Sequence, residues 1–587
     1  MNTYLKSTLR ALVIAGICTP AAHAFQFESG SVQGSFNSTL TLGFGQRVEK
    51  QSCSHHGDIS TSCGARANTA VWANGDDGNL NYDKGDFFTA HIKGSHELLL
   101  SFPDDWRFMG RVGWLYDFKA DDTARTPLND TSKRVVGQYA RLYDLWISKG
   151  FDIGEQRGRV RLGNQVVSWG ESLFMPGGIN SNVTMDLQRL ASPGMQLKEA
   201  FLPSPILSVA AGLGNGVNVE AYYQFKWDPY EFWPAGTYWS QSDTYDRGRD
   251  NLLYFAPDPA SQILAGGGRV TRSTLAAQRD TMLNVDGTAF PVLKDKKPGN
   301  SGQFGLSVKY RPEGMDADFG FYYQRYHDKT PNVQYWNRDV SGTRMYYEKD
   351  RDLFGVSVNT SLGNWAVGAE LSYRPKDAVS TSVCFNMDGS GDGLEYGVEC
   401  NGSIDKERYQ LHLTGILSLT PGDHGAFLDL VGAQTATFLG EITAIAYPGV
   451  HKNKVWTRTK NGVTYQQIPA AGAWTFLDGS GMPFGVGDKL SWGYMFDFSL
   501  TYDSTLIPGW QVIPGVFVSH AVKGHTPNFA ANWGEGAKSA NFYVLFNRNP
   551  MTWQAGLNYT RFWGGKYSTS APYRDRDFIG GFISRNF

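Results

Sequence analysis

From Phe25 onward the chain has no run of 18 consecutive apolar residues, which excludes a transmembrane helix. It has no C-x-x-C pair, no G-x-x-x-x-G-K-S/T loop and no G-x-S-x-G turn. A paired-cysteine metal site, a phosphate cradle and a nucleophile elbow therefore have no basis in the sequence. SHELLL (95–100) places Leu100 where a zinc-protease helix needs its second histidine. Ser519 and His520 are neighbours in an alternating run, so they point to opposite faces and form no dyad. In DGNLNYD (77–83) Tyr82 stands where a calcium loop needs glycine, and a polar turn is expected instead. Excess charge is lacking too, with a formal net charge of −2, so nucleic acid is not an expected partner. The expectation is a non-enzyme with no cofactor and no metal.

Cysteine is scarce, at five residues, and one of these, Cys18, lies in a leader. Lys6 and Arg10, the apolar ALVIAGIC (11–18) and AHA ending at Ala24 read as a signal peptide over 1–24, with one domain over 25–587. The other four cysteines form two local pairs, Cys53 with Cys63 and Cys384 with Cys400. In an exported chain an even count predicts two disulfides. His55 and His56 between the first pair leave zinc as the alternative.

What the chain does have is glycine (68 residues), aromatic side chains (14%) and long alternation of apolar and polar residues. Trp365, Val367, Ala369, Leu371 and Tyr373 share one face, against Glu370, Ser372 and Arg374 on the other. Such runs reach 11 to 15 residues, whereas sandwich strands average about 5–6 and a tilted bilayer-spanning strand needs ~9–11. Runs fall near 32–45, 86–102, 106–118, 136–151, 157–169, 205–214, 216–227, 301–311 and 315–327. The others fall near 351–361, 364–374, 405–420, 424–438, 489–503, 509–521, 539–547, 551–562 and 576–587. Eighteen strands joined by alternately long and short links predict an all-β transmembrane antiparallel barrel of the outer membrane of a Gram-negative bacterium. Its surroundings would be outer-membrane lipid and lipopolysaccharide, and the strand ending at Phe587 would address the barrel assembly machinery. Arg585 departs from the apolar residue usual two places before the end.

Several stretches resemble the bacterial family known as domain of unknown function 1302: DDGNLNYDKGD (76–86), RLGNQVVSWGES (161–172), GGIN (177–180), PGMQLKEAFLPSP (193–205) and YYQFKWDP (222–229). FVSHAVKG (517–524), EGAKSA (535–540), GLNYTRFWGG (556–565) and YRDRDF (573–578) extend the resemblance to the end. Where the family commonly has Asn-Pro after GIN, this chain reads NSNVTMD, which predicts altered local geometry there. The resemblance implies an outer-membrane barrel of unsettled function, in the setting of hydrophobic-compound catabolism and efflux. It further implies a periplasmic lipid-carrier-like protein and an efflux system as partners.

Alternation stops after Trp169. Residues 170–204 follow an outgoing strand and carry Phe174, Met175, Met185, Leu187, Leu190, Met195 and Leu197, with TMDLQRL (184–190) at helical spacing. Irregular backbone at membrane depth needs cover from protein or a wet cavity, and an 18-stranded wall leaves room inside. The segment is expected to enter the lumen as a hatch, with Glu171, Asp186, Arg189, Lys198 and Glu199 pairing to lumen charges. An external cap is the alternative. Lys93, Glu97, Arg107, Arg111, Arg159, Arg161 and Glu370 are expected to point inward from the wall. The longest external loop, 228–300, begins in WDPYEFWPAGTYW (227–239), which reads either as girdle and loop packing or as a landing site for apolar solute. Three functions remain: gated passage of hydrophobic or amphipathic small molecules, a general polar porin, and a structural or adhesive surface barrel.

Overall fold

In the strand Val32–Arg47, Thr41 is buried while its neighbour Leu42 is 40% exposed. The same two-residue period recurs around the molecule. Val112, Leu162, Val209, Phe321, Leu413 and Phe542 lie bare on one surface, and Lys93, Ser148, Gln324, His412 and Thr443 are buried on the other. An apolar outer band around a polar interior is the pattern of a barrel that spans a bilayer.

The computed structural model describes residues 25–56, 58–67, 77–244, 247–253, 259–284, 289–337, 341–381, 385–386, 398–451, 456–460, 463–467, 486–530, 532–548, 552–565 and 571–587. The signal peptide expected over 1–24 lies outside them. The first nine wall strands are β1 (Val32–Arg47), β2 (Phe87–Phe102), β3 (Trp106–Asp117), β4 (Gln138–Ile153), β5 (Gln156–Gln165), β6 (Ser204–Gly214), β7 (Val217–Gln224), β8 (Gln303–Tyr310) and β9 (Ala317–Tyr326). They continue as β10 (Arg351–Leu362), β11 (Trp365–Ser380), β12 (Ser403–Leu419), β13 (Thr435–Ala446), β14 (Leu490–Ile507), β15 (Trp510–Lys523), β16 (Ala537–Arg548), β17 (Trp553–Gly564) and β18 (Phe578–Asn586). Each pairs antiparallel with the next, and β1 pairs with both β2 and β18, closing an 18-stranded barrel. A short strand, Phe25–Ser29, covers the part of β1 that β18 does not reach. Phe587 N–H donates to Ser38 O at 2.8 Å, so the last residue is tied to the seam. Among the described residues no helix is long and apolar enough to cross a membrane.

Short turns at one end alternate with long loops at the other. Asn215 and Gly216 (φ 49° and 76°) turn β6 into β7 with two residues, a conformation that favours Asn-Gly. Every predicted run overlaps a wall strand, but the one placed at 424–438 is corrected. Pro421–Val431 is a helix in the turn, with proline in its first turn and Gly432 ending it at φ 68°, and the strand begins at Thr435. Leu428 buries against Leu419, Ala433 and Ala436, a contact that a short apolar run satisfies as well from a helix as from a strand.

A bulge matters to the interior. Gly110 pairs with Leu145 and Val112 with Leu142, so Tyr143 and Asp144 together oppose Arg111. Both then reach the same guanidinium, Asp144 Oδ2 at 2.5 Å and the Tyr143 ring at 5.0 Å.

Candidate functional site

The segment between β5 and β6 lies inside the wall. Its first turn is held by two carboxylates from strands that are distant in sequence. The backbone N–H groups of Leu173, Phe174 and Met175 all donate to Glu441 Oε2, at 3.1, 2.5 and 3.2 Å. Glu171 N–H and Ile179 N–H donate to the two oxygens of Glu370, at 2.6 and 3.0 Å. Successive N–H groups converging on one anion form a nest, here occupied by a side chain of the wall. His412, fully buried, donates from Nδ1 to Glu441 Oε1 at 2.5 Å and accepts from Gln410 at Nε2, 2.8 Å, so its partners assign the tautomer. Gln324 donates to Ile179 O at 2.6 Å and Gln410 to Pro176 O at 3.1 Å; Arg374 donates to Gly177 O and to Ser181 Oγ.

Apolar contacts complete the seat. Trp169 packs on Tyr222 and Tyr322 and donates to Glu220 at 2.8 Å. Met175 is buried with Ile445, Tyr447, Met495 and Trp533, and Phe174 meets Phe517 edge-on at 5.2 Å. Further along, Glu199 pairs with Lys93, Lys198 with Glu97 at 3.0 Å, and Asp186 with Arg141 at 3.2 Å. Arg111 also donates to Lys198 O at 2.9 Å.

Two expected charge pairs are corrected. Among the described residues Glu171 meets no lumen cation, and its carboxylate accepts instead from the neutral wall groups Ser357 and Asn359. Arg189 reaches Asp186 of its own segment at 3.9 Å, donates to Val135 O and lies over the Tyr139 ring. The helix expected over 184–190 covers only Leu187–Leu190, capped by Asp186. Leu190 and Leu197 are 46% and 56% exposed, so these apolar side chains stay bare inside the barrel.

Lys93, Arg111 and Glu370 are buried under the insert. Arg107 and Arg159 lie near the short-turn end with Asp105, at 3.6 and 3.2 Å, and Arg161 covers Trp146. Glu441 and His412 were not singled out from the sequence. His412 stands on the polar face of a legible alternation, between Gln410 and Thr414, whereas the displaced run at 424–438 left Glu441 outside any strand.

A cavity of about 120 Å³ lies on the long-loop side of the insert. Its apolar wall comes from Met185, Leu187, Tyr230, Phe232, Tyr326 and Phe529, and its charges are Arg374, Arg408, Lys329, Asp328 and Asp377. Asp377 pairs with Arg374 and with Arg408, each at 3.2 Å, and accepts from Tyr447 at 2.6 Å. On the short-turn side, Arg157, Arg159, Lys309 and Glu220 line an open cleft.

The sequence pattern of the family described as "Protein of unknown function (DUF1302)" matches residues 5–587. The chain belongs to this family. No curated protein matches it. Solved structures similar to it include Pseudomonas aeruginosa OpdK with vanillate, at 10% identity and a TM-score of 0.39, covering 94% of this chain and 98% of that one. Acinetobacter baumannii OccAB1 is 10% identical with a TM-score of 0.41, covering 96% and 99% respectively. Pseudomonas aeruginosa OccK2 (OpdF) with glucuronate is 8% identical with a TM-score of 0.38, covering 94% and 98%.

Stretches that resemble DUF1302 meet in the outer loops. Arg47 donates to Asn79 O, Tyr82 O and Asp575 O at 2.7, 3.0 and 2.6 Å, joining DDGNLNYDKGD to YRDRDF. Tyr238, from the aromatic run, donates to Arg576 O at 2.7 Å and stacks on Phe88. Most of that run is loop packing, as one of its two readings held, while Tyr230 and Phe232 face the cavity. Instead of the polar turn expected at DGNLNYD, a short helix spans Asp77–Leu80, and the residues from Asp77 to Tyr82 are buried. Cys53 and Cys63 form a disulfide, which removes the zinc alternative there. The Cys384–Cys400 pairing lies outside the described residues. Arg585 lies over the rings of Trp553 and Phe587, so an aromatic rim surrounds the departure from the terminal pattern.

Proposed function

We propose that the chain is an outer-membrane channel in which residues 170–204 act as a hatch for hydrophobic or amphipathic small molecules. The observation that carries this reading is the seating of the insert. Its first turn is fastened by hydrogen bonds to Glu370 and Glu441, while Leu190 and Leu197 remain bare toward the lumen. A segment held by wall side chains, with no backbone ladder to the barrel, can leave its seat without breaking a strand. A general polar porin is the second reading, favoured by the basic cleft at the short-turn end. On either reading the C-terminal strand addresses the assembly machinery, and lipopolysaccharide faces the long-loop rim.

Removal of residues 172–198, bridged by a short flexible linker, tests the hatch. Single-channel conductance in planar bilayers is expected to rise several-fold, with faster uptake of a bulky antibiotic. Equal conductance in a correctly folded deletion would overturn the hatch. With the intact chain, an apolar solute is expected to pass faster than a charged one of equal size, and the reverse order would favour the polar porin.

A further inference from the structure

Lys329 follows the end of β9 and is 2% exposed, yet its Nζ has no hydrogen-bond partner. Its side chain lines the cavity on the long-loop side of the insert. A buried ammonium without an acceptor is costly unless something pairs with it. The neighbouring charges do not complete it. Asp377 is taken up by Arg374, Arg408 and Tyr447, Asp328 lies 3.7 Å from Arg351, and Asp228, which also draws on Lys329, pairs with Lys226 at 2.7 Å. Arg374 Nε and Arg408 Nε are likewise buried without acceptors. The cavity therefore holds three cations against two carboxylates, with three donors unused.

The rest of its wall combines neutral polar groups, among them Asn332, Asn528 and Asn532, with an apolar set. Met185 and Leu187 come from the insert, Tyr230 and Phe232 from the aromatic run, and Phe529 from the loop after β15. Phe232 and Phe529 meet edge-on at 5.5 Å. A volume of about 120 Å³ admits on the order of ten water-sized groups. One anionic head on a compact apolar body satisfies both halves. A neutral solute can offer an acceptor but leaves the surplus positive charge uncompensated, and with both carboxylates ionised a dianion brings one charge more than the surplus. We infer that this cavity is a binding site for small amphipathic monoanions, with Lys329 as the counter-cation and the ring pair of Phe232 and Phe529 against the apolar body. The inference rests on the channel reading and gives it a solute class. Because the insert supplies part of the wall, an occupant touches the hatch directly.

Equilibrium binding to the full-length protein in phosphatidylcholine nanodiscs separates the two ideas, since it requires no passage. The probes are 3-phenylpropionate and its neutral isostere 3-phenylpropanamide, followed by calorimetry. The carboxylate is expected to bind at least tenfold tighter than the amide. Lys329→Met should cut that preference to under threefold, and Lys329→Arg should keep it. Phe529→Ala, which removes no charge, should weaken both probes by a similar factor. Equal binding of the two probes to the wild type would overturn the inference. So would an unchanged preference in Lys329→Met, or Phe529→Ala leaving both affinities intact. Tight, charge-selective binding with no conductance change in the 172–198 deletion would sink the hatch and leave this site standing.

Discussion

At the scale of single residues, Glu441 is the firmest hold on the insert. It accepts three backbone N–H groups and the His412 proton. A hydrogen bond to a charged group contributes about 1.5–3 kcal/mol net, so losing even one shifts the seated population more than tenfold. Glu441→Ala is expected to give frequent, longer openings in single-channel records while the barrel keeps its heat-modifiable migration. Traces indistinguishable from wild type would show that the nest is ornamental to gating. A pH dependence belongs to the cavity. Burial pushes Lys329 down to about 8, against the pull of Asp228 and Asp328. Burial, with Asp377 beside it, pushes Asp328 up to about 7. Below pH 7 the carboxyl is neutral and the amine charged; above 8 the carboxylate is charged and the amine neutral. Arg374 and Arg408 also face the cavity, and Tyr230, pushed upward by burial, stays neutral. Affinity for 3-phenylpropionate should therefore be greatest below pH 7 and fall roughly tenfold by pH 9. A flat profile would contradict the assignment of Lys329. Among the charged residues that grip the insert or line its cavity, Glu370 and Arg374 were legible from the sequence, because they sit in a clean alternating run. Lys329 lies in a loop, and nothing local marks it as buried or unpaired.

At the scale of elements, the loop between β1 and β2 shows how the outer side is held. Cys53 and Cys63 close it covalently, Ser52 N–H donates to Asp575 at 2.6 Å and Asn79 donates to the same carboxylate at 2.9 Å. Closing a loop of this size stabilises it by on the order of 2–3 kcal/mol. Replacing both cysteines by serine should leave the barrel intact and make the loop accessible to added protease in proteoliposomes. Unchanged resistance would mean that the Asp575 contacts alone suffice. The strands were readable because period-2 patterning is local. The helix at Pro421–Val431 was not, since its apolar run fits either period and only burial against Leu419 and Ala436 decides. The bulge at Tyr143 and Asp144 was equally hidden, because one extra residue is set by the partner strand and leaves composition unchanged.

At the scale of the whole molecule, closure joins residues that are hundreds of positions apart. β1 meets β18, Arg47 reaches Asp575, and the insert after β5 rests on β11 and β13. The sequence by itself determined the barrel, its strand number, the loop asymmetry and the presence of an insert too apolar for a solvated loop. All of these follow from patterns within a few residues of one another, and a closed antiparallel wall is the arrangement that satisfies their backbone in a bilayer. Only the tertiary structure decided which wall side chains grip the insert, that Glu171 and Arg189 pair otherwise than their charges suggest, and that three cations share one cavity with two carboxylates. Those outcomes depend on which inward positions of distant strands come to the same height in the lumen. That height is set by pairing register and by bulges around the ring, which no local stretch of sequence records.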